Sequence, residues 1–241
     1  MLNQLAMKLL TLLFIFYSLF VTFGNGTNHS NVDAAGGYDI DPYAMINEGQ
    51  SLLKDGDLVV RLNRDPSSQF IRNLNRHDKT YSHSGVVIYE NGYPYVYHMV
   101  MGEENPSGKM KKDSLIRFCN PRKNMAYGIF RYDLNKKEIE KLKAIVHDWY
   151  DRGIRFDPAF NLSSNDKMYC SEMISKALEK ASDNRILIET TRLTAKESAL
   201  FSLYSHQPFT FTNNLEVVSI DELYSNSHCH LVKKYKYQRG K

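Results

Sequence analysis

Cysteine is scarce in this chain: Cys119, Cys170 and Cys229 are the three among 241 residues. An odd set cannot pair completely. In an oxidising compartment a Cys119–Cys229 disulfide would leave Cys170 free; the alternative is three reduced thiols, and the sequence does not choose between them. Charge of one sign is also lacking. The 31 Lys and Arg nearly balance the 27 Asp and Glu, and the net +4 is spread out, without the basic footprint of a nucleic-acid-binding module. No internal repeat or low-complexity block is present. Histidine and cysteine nowhere show the local spacing of common zinc motifs, so no metal or other cofactor is expected. Long apolar runs are confined to residues 9–23, shorter than the ~20 residues that span a bilayer. With Lys8 before it and Thr22-Phe23-Gly24 after it, this run reads as a secretory signal cleaved after Gly24. A retained membrane anchor is the rival reading. The expected location is secreted or periplasmic.

The chain, 42% hydrophobic over its full length, suits one packed domain once that leader is set aside. Residues 25–40 read as a flexible linker, 41–235 as the domain and 236–241 as the end of a basic tail. The tail offers a weak contact to anionic envelope polymers or lipid headgroups. Oligomeric state is not legible.

Cys170 opens an apolar stripe of Cys170, Met173, Ile174, Ala177, Leu178 and Ala181, spaced for one helix face. Asn165 and Asp166 just upstream are candidate N-terminal caps. A sulfur in the first turn lies where free N–H groups and the helix dipole favour the thiolate. The plain alternative is a small buried hydrophobe.

A second segment adds to that. Residues 81–89 and 93–100 are rich in β-branched and aromatic side chains and flank Asn91-Gly92, the preferred pair for a type I′ turn. With those two as the loop, Glu90 faces Tyr93, Val87 faces Val96 and Gly85 faces His98. His83 and His98 then share a face as diagonal neighbours. Gly85 leaves room for the His98 ring to lean toward His83. Glu90 alternates to the opposite face and is excluded as a partner of His83. Either histidine alone is a half-buried strand residue; together with a helix-start cysteine they fit a nucleophile–base–orienter set. Tyr81, Ser82 and Tyr169 are candidates for oxyanion or substrate contacts. Tyr93, Tyr95 and Tyr97 suit an apolar pocket or a core.

Elsewhere, residues 136–150 form an amphipathic helix ended by Gly153. Residues 57–61 and 127–132 are short strands, and 215–220 a further candidate. Residues 67–74 read as a short helix or loop, and 185–213 as irregular chain, either plain loop packing or a lid or wall over the cleft.

Gly56-Asp57-Leu58-Val59-Val60-Arg61, Tyr81-Ser82-His83-Ser84-Gly85-Val86-Val87, Phe156-Asp157, Tyr169-Cys170-Ser171-Glu172-Met173 and Val218-Ser219-Ile220-Asp221-Glu222-Leu223-Tyr224 together resemble the YiiX/YebB-like branch of the NlpC superfamily. Its members are circularly permuted papain-fold cysteine hydrolases, in which the histidine strand precedes the cysteine. The resemblance spans about residues 49–232. It implies an α+β fold, with an antiparallel sheet packed on the helix that carries the cysteine. It also implies Cys170 as nucleophile, His83 as base and a polar third residue, His98 by position. Many relatives have an acidic residue there; a histidine is similar to the lecithin:retinol acyltransferase-like branch. Amides of cell-wall peptides are the first expected substrate and lipid acyl groups the second. A non-catalytic binding module is the rival from another class.

Overall fold

The computed structural model describes residues 41–237, apart from Glu104 and Gln207. The expected signal, the linker and residues 238–241 lie outside them. The chain begins with helix α1 (Pro42–Leu52), strand β1 (Leu58–Asn63) and helix α2 (Pro66–Asn73). A hairpin of β2 (His83–Glu90) and β3 (Tyr93–His98) follows, then β4 (Lys111–Ser114), the single turn α3 (Leu115–Phe118) and β5 (Asn124–Tyr132). The second half holds α4 (Lys136–Asp151), the two-residue strands β6 (Arg155–Phe156) and β7 (Lys167–Met168), and α5 (Cys170–Ala181). It closes with β8 (Thr191–Arg192), α6 (Ala195–Ser205), α7 (Phe209–Thr212), β9 (Glu216–Val217), α8 (Ile220–Ser225) and β10 (Cys229–Lys236).

Six strands make one antiparallel sheet in the order β10-β5-β1-β2-β3-β4. Alternation along β1 sends Leu58, Val60 and Leu62 to one face and Val59 to the other. The first face is covered by Leu142, Val146 and Trp149 of α4 and by the expected stripe of α5, all buried. The second is covered by Ile46 of α1 and by Leu115 and Phe118 of α3. Large side chains such as these contribute about 1.5–3 kcal/mol each on burial. A helix cap contributes only ~1 kcal/mol, so packing, more than capping, holds α5 in place.

The hairpin forms as expected. Asn91 and Gly92 both have positive φ, 50° and 80°, and Glu90 pairs with Tyr93 and Val87 with Val96. Pro94 pairs with Tyr89, beyond the reach of β4, which covers only residues 95–98. Its missing N–H therefore costs no ladder bond.

Several expectations are corrected. Helix α5 starts at Cys170, later than Asn165 and Asp166 would place it, because Met168 pairs with Phe156 in a short parallel ladder that keeps the chain extended. Asn165 instead accepts from Lys176 Nζ at 3.3 Å. Residues 215–220 yield only a two-residue strand, and Ile220 begins a helix. The stretch 185–213 contains helix α6, capped reciprocally by Thr194 and Glu197. Its apolar residues ring the whole circumference, Phe201 being buried while Leu200 and Leu203 are exposed, so no stripe marked it. The fold runs past residue 235. Lys236 ends β10, and buried Tyr237 donates from its hydroxyl to the Cys119 carbonyl at 2.7 Å. Cys119 and Cys229 are free thiols that pack on opposite faces of the sheet, not a disulfide.

Gly85 is the tightest point of the hairpin. A Cβ there would lie 2.5 Å from Val96 Cγ1, 3.0 Å from the Tyr97 carbonyl oxygen and 3.2 Å from His98 Cβ. Gly85→Ala is expected to destabilise the fold by about 1–3 kcal/mol, read as a lowered urea midpoint at unchanged slope; an unshifted midpoint would show that the strands separate without penalty.

Candidate active site

Three neighbouring strands each deliver one polar side chain to a line. His83 opens β2, His98 closes β3 and Asp113 lies in β4. His83 Nε2 is 3.0 Å from His98 Nδ1, and His98 Nε2 is 3.2 Å from Asp113 Oδ2. Phe118 lies beside both imidazoles, with ring centroids at 5.6 and 5.0 Å. The line is buried: His83 is 9% exposed, His98 1% and Asp113 6%.

Proton positions along this line follow from chemistry. An ionised carboxylate can only accept, so His98 Nε2 carries the hydrogen that faces Asp113. Neutral His98 then presents a lone pair at Nδ1, which accepts from His83 Nε2–H. His83 is left with its Nδ1 lone pair unused. The charge states agree with this order. Burial raises the Asp113 carboxyl, but hydrogen bonds from His98 and Lys111 outweigh it and leave the group at about 2. Burial lowers His98 to about 4 despite the pull of Asp113. Burial and the nearby Arg61 charge take His83 well below the ordinary histidine value.

Cys170 is the first residue of α5 and is 7% exposed. It and His83 open onto one cleft of about 670 Å³, with no hydrogen bond between them in this resting state. The sulfur lies against Ser84, the residue after His83. Burial pushes the Cys170 thiol up, opposed by hydrogen bonds from Ser84 and Ser171. This reverses the expectation that the helix start alone would favour the thiolate: desolvation is the larger effect. The resting pair is therefore a neutral thiol and a neutral imidazole.

Among the expected accessory groups, Ser82 lines the cleft. Tyr81 does not. Its ring packs edge-on against Phe130 and Tyr224 in the core. Tyr169 stacks on Phe160 at 4.2 Å, and its hydroxyl accepts the Val218 N–H at 2.7 Å. Tyr97 is core, while Tyr93 is 40% exposed, so the strand tyrosines form no pocket at this cleft. Glu90 stays apart from His83, paired with Lys112 at 2.7 Å.

Comparison with known proteins now bears on this geometry. Residues 52–232 match the sequence profile of Peptidase C92, the permuted papain-like amidase enzymes of YaeF/YiiX type. The chain belongs to this C92 family. The family is one of cysteine hydrolases, and the mixed α/β architecture with an antiparallel sheet is its fold. The chain is 26% identical over 133 residues to the uncharacterized protein YiiX of Escherichia coli strain K12, a match covering 54% of this chain and 60% of that protein. The crystal structure of the metalloprotein YiiX from Escherichia coli O157:H7 superposes with a TM-score of 0.61 at 22% identity, covering 76% of this chain and 98% of that one.

Sequence reasoning missed three residues of this candidate site. Asp113 sits in Lys-Lys-Asp-Ser, a polar edge strand without the alternation that marks a buried one. Only its register against β3 would have found it. Arg61 and Arg64 line the cleft from β1 and the turn beyond it, where basic residues ordinarily read as solvated.

The buried histidines predict that this fold loses stability in acid. Unfolded histidine takes its proton near 6.5, but His98 resists protonation down to about 4, and His83 shifts the same way. The unfolded chain thus binds more protons in that window, and stability is lost as pH falls through it, on the order of 3 kcal/mol for His98. Below about pH 4, protonation of Asp113 removes more. Urea midpoints at pH 7, 5.5 and 4.5 should fall in sequence, and His98→Gln should flatten the decline. An equal decline in that variant would clear His98 of the effect.

Proposed function

We propose that Cys170 is the nucleophile, His83 the general base and His98 the orienter of an exported amidase acting on cell-wall peptides or related amides. The observation that carries this reading is the proton order along Asp113, His98 and His83. It leaves one imidazole nitrogen free at the cleft into which Cys170 opens. The apolar run at residues 9–23 supports export.

His83 Nδ1 removes the proton from Cys170 Sγ as the sulfur attacks the substrate carbonyl and a C–S bond forms. Charge collects on the carbonyl oxygen. As the first helical residue, Cys170 has a backbone N–H with no acceptor one turn back in the helix, ready to receive that charge. Ser82 is the candidate second donor, since it lines the cleft. The imidazolium of His83 is stabilised by the His98–Asp113 pair behind it, and it then protonates the leaving nitrogen as the C–N bond breaks. Water, deprotonated by His83, hydrolyses the thioester and restores the thiol.

The cleft walls include Ile71, Leu74, Phe156, Phe160 and Ile220, which favours a second reading, transfer or hydrolysis of lipid acyl groups. Turnover of peptidoglycan fragments against acyl esters separates the two. A resident metal does not fit the donor set. Both His98 nitrogens are engaged, leaving His83 Nδ1 and the Cys170 sulfur as two donors. Among the described residues no cluster of three His, Cys, Asp or Glu is placed to hold an ion.

Cys170→Ala is expected to abolish turnover with the fold retained; full activity in that variant would end the assignment. Asp113→Asn offers His98 an N–H as well as a carbonyl and so permits the reversed tautomer. Its kcat should fall roughly 10²- to 10⁴-fold with KM little changed. A kcat within threefold of the parent would mean that Asp113 does not set the proton order.

A further inference from the structure

Two arginines in this protein show how it holds a carboxylate. Arg131 presents Nε and Nη2 to Asp57 at 2.7 and 2.8 Å. Arg185 presents the same edge to Glu138 at 2.9 and 2.8 Å. That edge carries two parallel N–H groups matched to two carboxylate oxygens.

Arg64 has the same edge in another setting. Its Nε and Nη2 are both buried, and neither makes a hydrogen bond among the described residues. It follows the end of β1, with its backbone N–H tied to the Lys123 carbonyl at 2.9 Å, and it lines the cleft with Cys170 and His83. Arg61 pairs directly across the ladder with His83. Its Nη1 donates to the Phe118 carbonyl and its guanidinium lies 4.4 Å from the Phe118 ring centroid. Its Nε is likewise buried without a partner. No nearby acid among the described residues hydrogen-bonds these donors: Asp113, whose charge acts on Arg61, is engaged by His98 and Lys111. Asp65 accepts from Ser67 and Ser68 at the start of α2, and Glu103 is exposed. Buried guanidinium donors without acceptors are unfavourable in the free chain. A turn of the Arg64 guanidinium toward the cleft it lines would give that edge an anionic partner there.

We propose that Arg64, backed by Arg61, determines the specificity of the cleft by binding a carboxylate, so that the amide cleaved carries a free carboxylate near its scissile carbonyl. Cleavage rests on the reading of Cys170 as nucleophile; the anion site rests on the guanidinium geometry alone. A bidentate edge among apolar walls suits a single planar negative charge.

The test compares iodoacetate with iodoacetamide as alkylating agents of Cys170, with Cys119 and Cys229 changed to serine. Both react with the thiolate by forming a C–S bond and releasing iodide; they differ in carboxylate against carboxamide. Relative to glutathione, Cys170 should prefer iodoacetate by roughly 10- to 100-fold, the worth of one or two charge-assisted hydrogen bonds. Arg64→Gln should bring the preference to within about threefold of glutathione, and Arg64→Lys, a point charge without the fork, should fall between. A ratio near unity in the parent protein, or one unmoved in Arg64→Gln, overturns the proposal, and the parent measurement decides even if the variants fail to fold. Slow labelling by both reagents, indifferent to His83→Ala but with the preference intact, sinks the hydrolase reading and leaves the anion site standing. Fast, His83-dependent labelling without preference does the reverse.

Discussion

A carboxylate has no hydrogen to give, and that constraint at Asp113 orders the site. Once Asp113 can only accept, each ring nitrogen of His98 and His83 has its role fixed in turn, ending in a basic nitrogen at the cleft. The sheet supplies the spacing. Adjacent strands bring His83 against His98 and His98 against Asp113 within hydrogen-bonding distance, because β2, β3 and β4 lie in consecutive order. No long side chain has to reach. The ordering entropy is met by the sheet itself.

Burial then sets the electrical character of the pair. Desolvation lowers both histidines and raises the thiol. Cys170 and His83 therefore carry little charge in this structure. In the proposed reaction that charge is created during attack rather than stored beforehand, so an assured tautomer at His83 matters more than a pre-formed thiolate. Arg61 lies opposite His83 across the ladder and adds a positive charge to the same cleft wall, while Asp113 supplies the negative one behind His98.

Much of this was legible in the residues. Asn91-Gly92 fixed the hairpin register, and the register placed His83 beside His98. The stripe from Cys170 to Ala181 marked a helix whose first residue faces the cleft. What escaped reading depended on contacts distant in sequence. Tyr81 and Tyr169 look equally suited to hydrogen bonding, yet packing against Tyr224 and Phe160 takes their rings out of the cleft. Asp113 lies in four polar residues whose importance comes wholly from pairing with β3. The start of α5 was misplaced because a two-residue parallel ladder overrode good capping residues.

Strand β4 is short and forms one border of the sheet. Lys111 and Lys112 on it discourage another chain from adding to that border, and Lys111 also pairs with Asp113 at 3.0 Å. The residue that governs proton order thus resides on the segment with backbone partners on one side only. Borders of sheets open locally at less free energy than interior strands. Fraying of four residues would release Asp113 and let the imidazoles exchange tautomers while the core stayed intact. Loss of the proton order and loss of the fold are thereby separable events, the first needing only a local opening at the margin of the sheet.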